Sequence, residues 1–320
     1  GKLFKYLEGC SRVLVLGIGG GGDIFATIPT RNLLKKMGIE VYLGCVAWER
    51  FVLDPKPGPR PLEELVNIQE LSETVCIGGP DTITEDGIKL QASHLSERLG
   101  EKVVLVDITK GVKRVAEGLD EALSKLGASL VIGIDSGGDV LARGSEKNLR
   151  SPLCDSVMLA SLHYMRNRNF LGVFASGCDG ELSIEEVLTY ISEIASTGGY
   201  LGAYGMARED AEMLEALVNG MVSEVSKIAL LSFKGFRGSV SIRDGLFKAE
   251  ASIVSTLTFY LDTEKTYNRS PIAKAVSNSE SILEASKELN KIGIRTELDL
   301  EIEAYRRRAR SYRELLGRQI

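Results

Sequence analysis

The decapeptide Gly17 to Ala26 (GIGGGGDIFA) returns as Gly133 to Ala142 (GIDSGGDVLA), identical at six of ten positions. Each copy follows an apolar, β-branched run, Arg12 to Leu16 and Ser129 to Ile132, and leads into an apolar stretch able to begin a helix. A chain that builds the same strand, loop and helix turn twice is confined to alternating α/β architectures. In such sheets ligands sit beyond the carboxyl ends of the strands, where strand order reverses. With the copies on strands one and four, neighbours in the doubly wound order, both Gly-Gly-Asp loops are expected to line one cleft.

Strand-like runs at Arg12 to Leu16, Val41 to Val46, Val103 to Asp107, Ser129 to Ile134 and Phe170 to Ser176 alternate with helical stretches. The helices are expected at Ile24 to Met37, Ser93 to Leu99, Val112 to Leu126, Ile184 to Ser196 and Glu209 to Leu230. Several strands are apolar at nearly every position, as strands covered on both faces are. This predicts a Rossmann-like α/β fold with a mostly parallel central sheet and helices on both faces. Four of the eight prolines fall between Leu53 and Pro61, which marks a loop. Ile83 to Leu90 suits a small hairpin, and Val240 to Ala251 a second one turning at Asp244-Gly245, a dipeptide that favours a type I′ turn. The last stretch, Glu297 to Arg318, reads as one helix with Arg306, Arg307, Arg308, Arg310, Arg313 and Arg318 interleaved with Glu301, Glu303 and Glu314 on a solvated face. No composition break marks a linker. A single α/β domain is therefore expected over 1–320, with the core in 1–235 and a hairpin and helical elaboration in 236–320.

A net charge of −5 offers no broad basic field, which argues against nucleic-acid binding. Five scattered cysteines without Cys-x-x-Cys spacing, and only two histidines, argue against a zinc site or a disulfide framework. No apolar run reaches the roughly 18 residues of a spanning helix, and Gly1 to Cys10 lacks a secretory pattern, so a cytoplasmic protein without membrane contact is expected.

Glycine is the costliest residue to order, by about 0.5–1 kcal/mol, so four in succession signal close approach to the backbone. The usual visitor is an anion, favoured at a helix start by ~0.3–2 kcal/mol. Yet each loop ends in an aspartate, Asp23 or Asp139, and the second adds Asp135. A carboxylate about 4 Å from a phosphate oxygen repels it by roughly 4 kcal/mol at an effective dielectric near 20. Either a cation such as Mg2+ lies between them, or the carboxylates meet the hydroxyls of a ribose. Capping of the following helix is the plainer role for Asp23 and Asp139 and excludes neither.

Asp23 and Asp139 are accordingly the candidate catalytic carboxylates, and Asp135 and Asp139 the candidate magnesium ligands. The candidate ligand-binding set is Gly19, Gly20, Gly21, Gly22, Ser136, Gly137 and Gly138 in the two loops, Glu49 and Arg50 after the second strand, and Asp179 after the fifth. Gly17, Gly19 and Gly22 also satisfy the dinucleotide pattern G-x-G-x-x-G, with Glu49 placed to meet a ribose. Arg143 and Lys110 can reach a phosphate or stand as solvated charges, and Trp48 can stack on a ligand or pack at an edge. Cys178 reads as a nucleophile or a small loop residue, without a histidine near it in sequence. His163 and His94 read as packed or surface histidines.

Gly17 to Asp23, Trp48-Glu49-Arg50 and Gly133 to Asp139 together resemble the mainly archaeal family called domain of unknown function 1152. The resemblance implies an archaeal, cytosolic origin and a Rossmann-like fold, and supplies no catalytic roles. Three functions stay open. The first is binding of a nucleotide or phosphorylated metabolite across the two loops, with Mg2+-assisted phosphoryl transfer or hydrolysis. The second is a nicotinamide-dependent oxidoreductase. The third is a non-catalytic ligand sensor or assembly protein docking through the arginine-rich terminal helix. A small-molecule ligand is expected as partner, for the sensor as for the two enzymes, and self-association is left open.

Overall fold

The computed structural model describes residues 2–317. Its strands are β1 (Arg12–Gly17), β2 (Glu40–Val46), the short β3 (Leu65–Val66), β4 (Gln69–Glu70), β5 (Val75–Gly78) and β6 (Ile83–Thr84). They continue with β7 (Val103–Val106), β8 (Leu130–Ser136), β9 (Arg168–Phe174), β10 (Tyr200–Gly205), β11 (Gly238–Ile242), β12 (Phe247–Ala251) and β13 (Leu257–Leu261). Nine form one sheet in the order β10-β13-β9-β8-β1-β2-β7-β5-β4. Its five central strands, β9-β8-β1-β2-β7, are parallel. The pairings outside them, β10-β13, β13-β9, β7-β5 and β5-β4, are antiparallel. The expected parallel sheet is thus its centre only, and the whole is mixed.

Burial explains the centre. β8 is buried at all positions and β1 at all but Arg12, so both faces need covering. On one face Leu14, Leu16 and Val131 pack with Val115 and Leu119 of the helix Val112–Leu126 and Val157 of the helix Pro152–Tyr164. On the other, Val13, Val15 and Ile132 pack with Leu34 of the helix Ile28–Lys36, Leu95 of Gln91–Leu99 and Leu214 of Arg208–Val218. Each fully buried aliphatic side chain contributes about 1.5–3 kcal/mol relative to exposure. Strand order runs outward in both directions from β1 and β8. The loops that follow them leave the same edge of the sheet, where Ile18 N–H donates to Ile134 O at 2.9 Å.

The helices Val112–Leu126 and Ile184–Ser196 have the expected bounds. Elsewhere boundaries move for local reasons. The stretch after the first glycine loop opens with a tight turn of 3-10 helix, Gly21–Thr27, before the helix Ile28–Lys36. The expected helix Glu209 to Leu230 is two, Arg208–Val218 and Glu224–Phe233, parted at Gly220 with φ +74°. The expected terminal helix breaks where Arg308 turns left-handed at φ +55°, giving Glu297–Arg307 and Tyr312–Leu316. Arg318 lies outside the described residues. The hairpin β11-β12 forms as expected: Ile242 pairs with Phe247, the loop between them is centred on Asp244-Gly245, and the positive-φ stretch also takes in Arg243. Among the described residues no helix is long and apolar enough to cross a membrane.

Candidate functional site

Both glycine loops enclose carboxylates of the chain itself. Asp23 folds back so that its Oδ2 accepts from Gly19 N–H at 2.8 Å and, across to the second loop, from Ser136 N–H at 3.3 Å. Asp135 Oδ2 accepts from Val140 N–H at 3.2 Å. The glycines make room for this. A Cβ on Gly19 would stand 2.4 Å from Asp23 Oδ2, one on Gly21 2.6 Å from Glu49 Oε1, and one on Gly137 2.2 Å from the Asp179 carboxyl. The close approach foreseen from the sequence is therefore met in part by side-chain anions, and an anionic ligand has less bare backbone than four glycines suggest. Gly20 and Gly22 keep N–H groups in the cavity wall without an acceptor among the described residues.

Six carboxylates converge here. Asp23, Asp135 and Asp155 each place an oxygen within 4.8 Å of the others, and so do Asp139, Asp179 and Glu181. All but Asp23 are at most 4% exposed. Among the described residues none of the six forms an ion pair. Among the described residues Asp135 Oδ1, Asp179 Oδ2 and both oxygens of Asp155 have no hydrogen-bond donor to meet them when the cluster is ionised. Burial pushes Asp23, Asp139, Asp155 and Asp179 well above the usual carboxylate range, and neighbouring carboxylates push them further. Asp135 is raised for the first of these reasons.

These groups floor a cavity of about 380 Å³. Asp23, Asp139, Asp179 and Glu181 face it, while Asp135 and Asp155 lie behind. Arg150 holds its guanidinium carbon over Phe247, 3.9 Å from the ring centre, and donates to Asp179 O at 2.9 Å; its charge has no carboxylate partner among the described residues. Arg50 and Arg243 share Glu224 on the opposite wall.

The helix Glu297–Arg307 closes the far side. Glu297 accepts from Leu153 N–H at 3.0 Å and Cys154 N–H at 2.7 Å, capping the helix Pro152–Tyr164 and so setting the place of Asp155. Burial raises Glu297 to about 7 and Glu301 to about 8. Glu301 is not on the solvated face expected for it. It accepts from Trp48 Nε1–H at 2.8 Å and Gly58 N–H at 2.9 Å. Trp48 is 5% exposed and lines the cavity beside Glu301, and it is the only tryptophan. Its fluorescence is expected to titrate near pH 8, and Glu301→Gln to abolish the step; a flat profile between about pH 6 and 10 would contradict the contact. Because the folded value lies above that of free glutamate, the stability Glu301 confers falls as pH rises from about 4.5 through about 8.

Of the residues singled out from sequence, Gly19, Gly20, Gly21, Gly22, Asp23, Glu49, Arg50, Ser136, Asp139 and Asp179 line this one cavity, and Asp135, Gly137 and Gly138 support it from behind. Glu49 is held by Gln91, whose N–H and Nε2 both donate to it at 2.8 Å. Arg143 pairs with Glu193 and Lys110 with Glu63, both outside the cavity. Cys178 is buried with its thiol pushed up to about 12, which opposes a nucleophilic role. His163 stacks on Tyr267 at 3.8 Å.

Asp155, Glu181, Arg150 and Glu297 are not among the candidates read from the sequence, and Glu301 is there only as a solvated residue. For Asp155 the signal was present: one aspartate inside Pro152 to Leu162, a stretch otherwise of apolar and small residues buried throughout, which only a functional or paired carboxylate tolerates. A family model described as Protein of unknown function (DUF1152) matches residues 14–305, which include both loops, Asp155 and the Glu297–Glu301 wall. No curated protein and no solved structure matches the chain.

Proposed function

Since the chain belongs to the DUF1152 family, whose description names no activity, we propose from the chemistry of the site that it binds a nucleotide or phosphorylated metabolite with Mg2+ and transfers or hydrolyses its phosphoryl group. The observation that carries this reading is the set of six carboxylates, five of them deeply buried, with no ion-pair partner among the described residues. Each pair about 4 Å apart repels by roughly 4 kcal/mol at an effective dielectric near 20. An all-oxygen, all-anionic donor set suits a hard divalent ion, and the partnerless oxygens of Asp135, Asp155 and Asp179 are open to one. When bound, such an ion polarises phosphoryl oxygens and neutralises charge that develops on them.

The protein's own groups supply the rest. Arg150 and the N–H groups of Gly20 and Gly22 offer donors to phosphate oxygens beside the floor. Asp139 faces the cavity, and a carboxylate oxygen of it that is not turned to an ion suits the role of general base. The oxygen of a water or substrate hydroxyl forms a bond to phosphorus as the bond to the leaving oxygen breaks. The proton of the attacking oxygen passes to Asp139 and then to the leaving oxygen. The parallel strand order, 5-4-1-2-3 along the chain, supports a Rossmann-like reading of the core, with the ligand at the reversal between β1 and β8.

Dinucleotide binding through Gly17, Gly19, Gly22 and Glu49 is less favoured. Asp23 already occupies Gly19 N–H, and Gln91 holds both oxygens of Glu49.

A thermal-shift screen of nucleotides and sugar phosphates, with and without Mg2+, tests the proposal. A ligand at 100 times its Kd is expected to add about 2.7 kcal/mol, only when Mg2+ is present. If no phosphorylated compound raises Tm with Mg2+, the reading fails.

A further inference from the structure

The six carboxylates form two groups of three, not one of six. The groups adjoin at Asp135 and Asp139, on either side of the Ser136-Gly137-Gly138 turn. Two side chains, one in each group, carry oxygens outside the internal hydrogen bonding of the glycine loops. Asp155 comes from the helix Pro152–Tyr164, is 1% exposed, and has neither oxygen partnered, yet lies within 4.8 Å of Asp23 and Asp135. Asp179 follows β9, is 4% exposed, and leaves Oδ2 unpartnered beside Asp139 and Glu181. Each group therefore holds a buried side chain with acceptor capacity directed at its two companions and no donor to meet it.

We propose that the cavity floor holds two divalent cations, the first bound by Asp23, Asp135 and Asp155 and the second by Asp139, Asp179 and Glu181. This rests on the function proposed above and specifies it. One ion cannot serve both groups electrostatically: it would leave three buried carboxylates facing one another without a counter-charge, whereas two ions carry four of six charges. The remaining contacts are compatible with ligation. Asp139 and Glu181 accept from Ser151 Oγ–H at 3.2 and 2.5 Å, Glu181 also from Arg150 N–H and Ser151 N–H, and each carboxylate retains free lone pairs. The substrate class that suits adjacent cations is a phosphate ester or anhydride, whose attacking and leaving oxygens both face positive charge during in-line displacement.

Mn2+ alone, without substrate, is the probe. The full chain, stripped with EDTA and titrated with Mn2+ by calorimetry, is expected to bind two ions and to give the exchange-coupled electron paramagnetic resonance spectrum of a close pair. Asp155→Asn and Asp179→Asn are each expected to bind one ion and show only the six-line spectrum of isolated Mn2+. Both changes are isosteric and relieve repulsion, so each variant should retain the parent's circular dichroism. Saturation of the parent at one ion overturns the pair while leaving the phosphoryl reading intact. Binding of none overturns both. Retention of two ions by both variants removes the assignment of ligands and with it the proposal.

Discussion

Stripped of metal at pH 8, the Asp135→Asn variant is expected to be more stable than the parent, and Mg2+ or Mn2+ is expected to stabilise it far less. Asp135 sits between Asp139 and Asp155 and contributes to the raised proton affinity of both. Removing its charge removes repulsions of roughly 4 kcal/mol per pair at about 4 Å, while the Asn oxygen still accepts from Val140 N–H. A rise in Tm of several degrees follows, at about 2 °C per kcal/mol for a chain of this size. The pH dependence has a definite sign. These aspartates bind protons more tightly folded than unfolded, so stability is lost as pH rises from about 4 through their raised folded values. Metal-free parent protein is expected to melt higher at pH 5 than at pH 8, and Asp135→Asn to flatten that difference. Excess Mn2+ is expected to reverse the order in the parent if it binds the ionised form as proposed. A variant that is less stable in EDTA at pH 8, or as responsive to Mn2+ as the parent, would contradict this account of the cluster.

Gly137→Ala is expected to be among the most damaging single substitutions. Gly137 has φ +112°, which an L side chain adopts only with strain of about 1–3 kcal/mol. Its Cβ would also stand 2.2 Å from the Asp179 carboxyl, so Asp179 must leave its place. Urea denaturation is expected to show a loss of about 3–5 kcal/mol, together with loss of cation binding at Asp179. Gly79→Ala is the control, because a Cβ there meets nothing within 4 Å and the backbone is not left-handed. If Gly137→Ala stayed within about 1 kcal/mol of the parent, the glycine requirement in the second loop would need another cause.

Much of this site was readable because its signals are local. The repeat of Gly-Gly-Asp after two apolar runs placed Asp23, Asp135 and Asp139 beside one another before any coordinates. Strand periodicity located β1, β2, β7, β8 and β9, since strands covered on both faces show as continuous apolar runs. The edge strand β10 gave no such run: Tyr200–Gly205 is half exposed, and its pairing with the inner strand β13 depends on residues far along the chain. The helix Pro152–Tyr164 was missed for the opposite reason. It is buried nearly all round, so it has no polar face and no helical period to detect. With it went Asp155, and with the terminal helix went the true setting of Glu297 and Glu301, whose partners Leu153, Cys154 and Trp48 are distant in sequence.

By itself the sequence determined an alternating α/β chain, a duplicated turn and the glycines that turn requires, because backbone conformation and burial period act over a few neighbouring residues. Only the tertiary structure decided what the glycines accommodate, namely the chain's own carboxylates, and which further carboxylates join them. Charge interaction and desolvation depend on distance in space, and the groups that dominate them here come from a loop, a buried helix and a wall helix remote from one another along the chain.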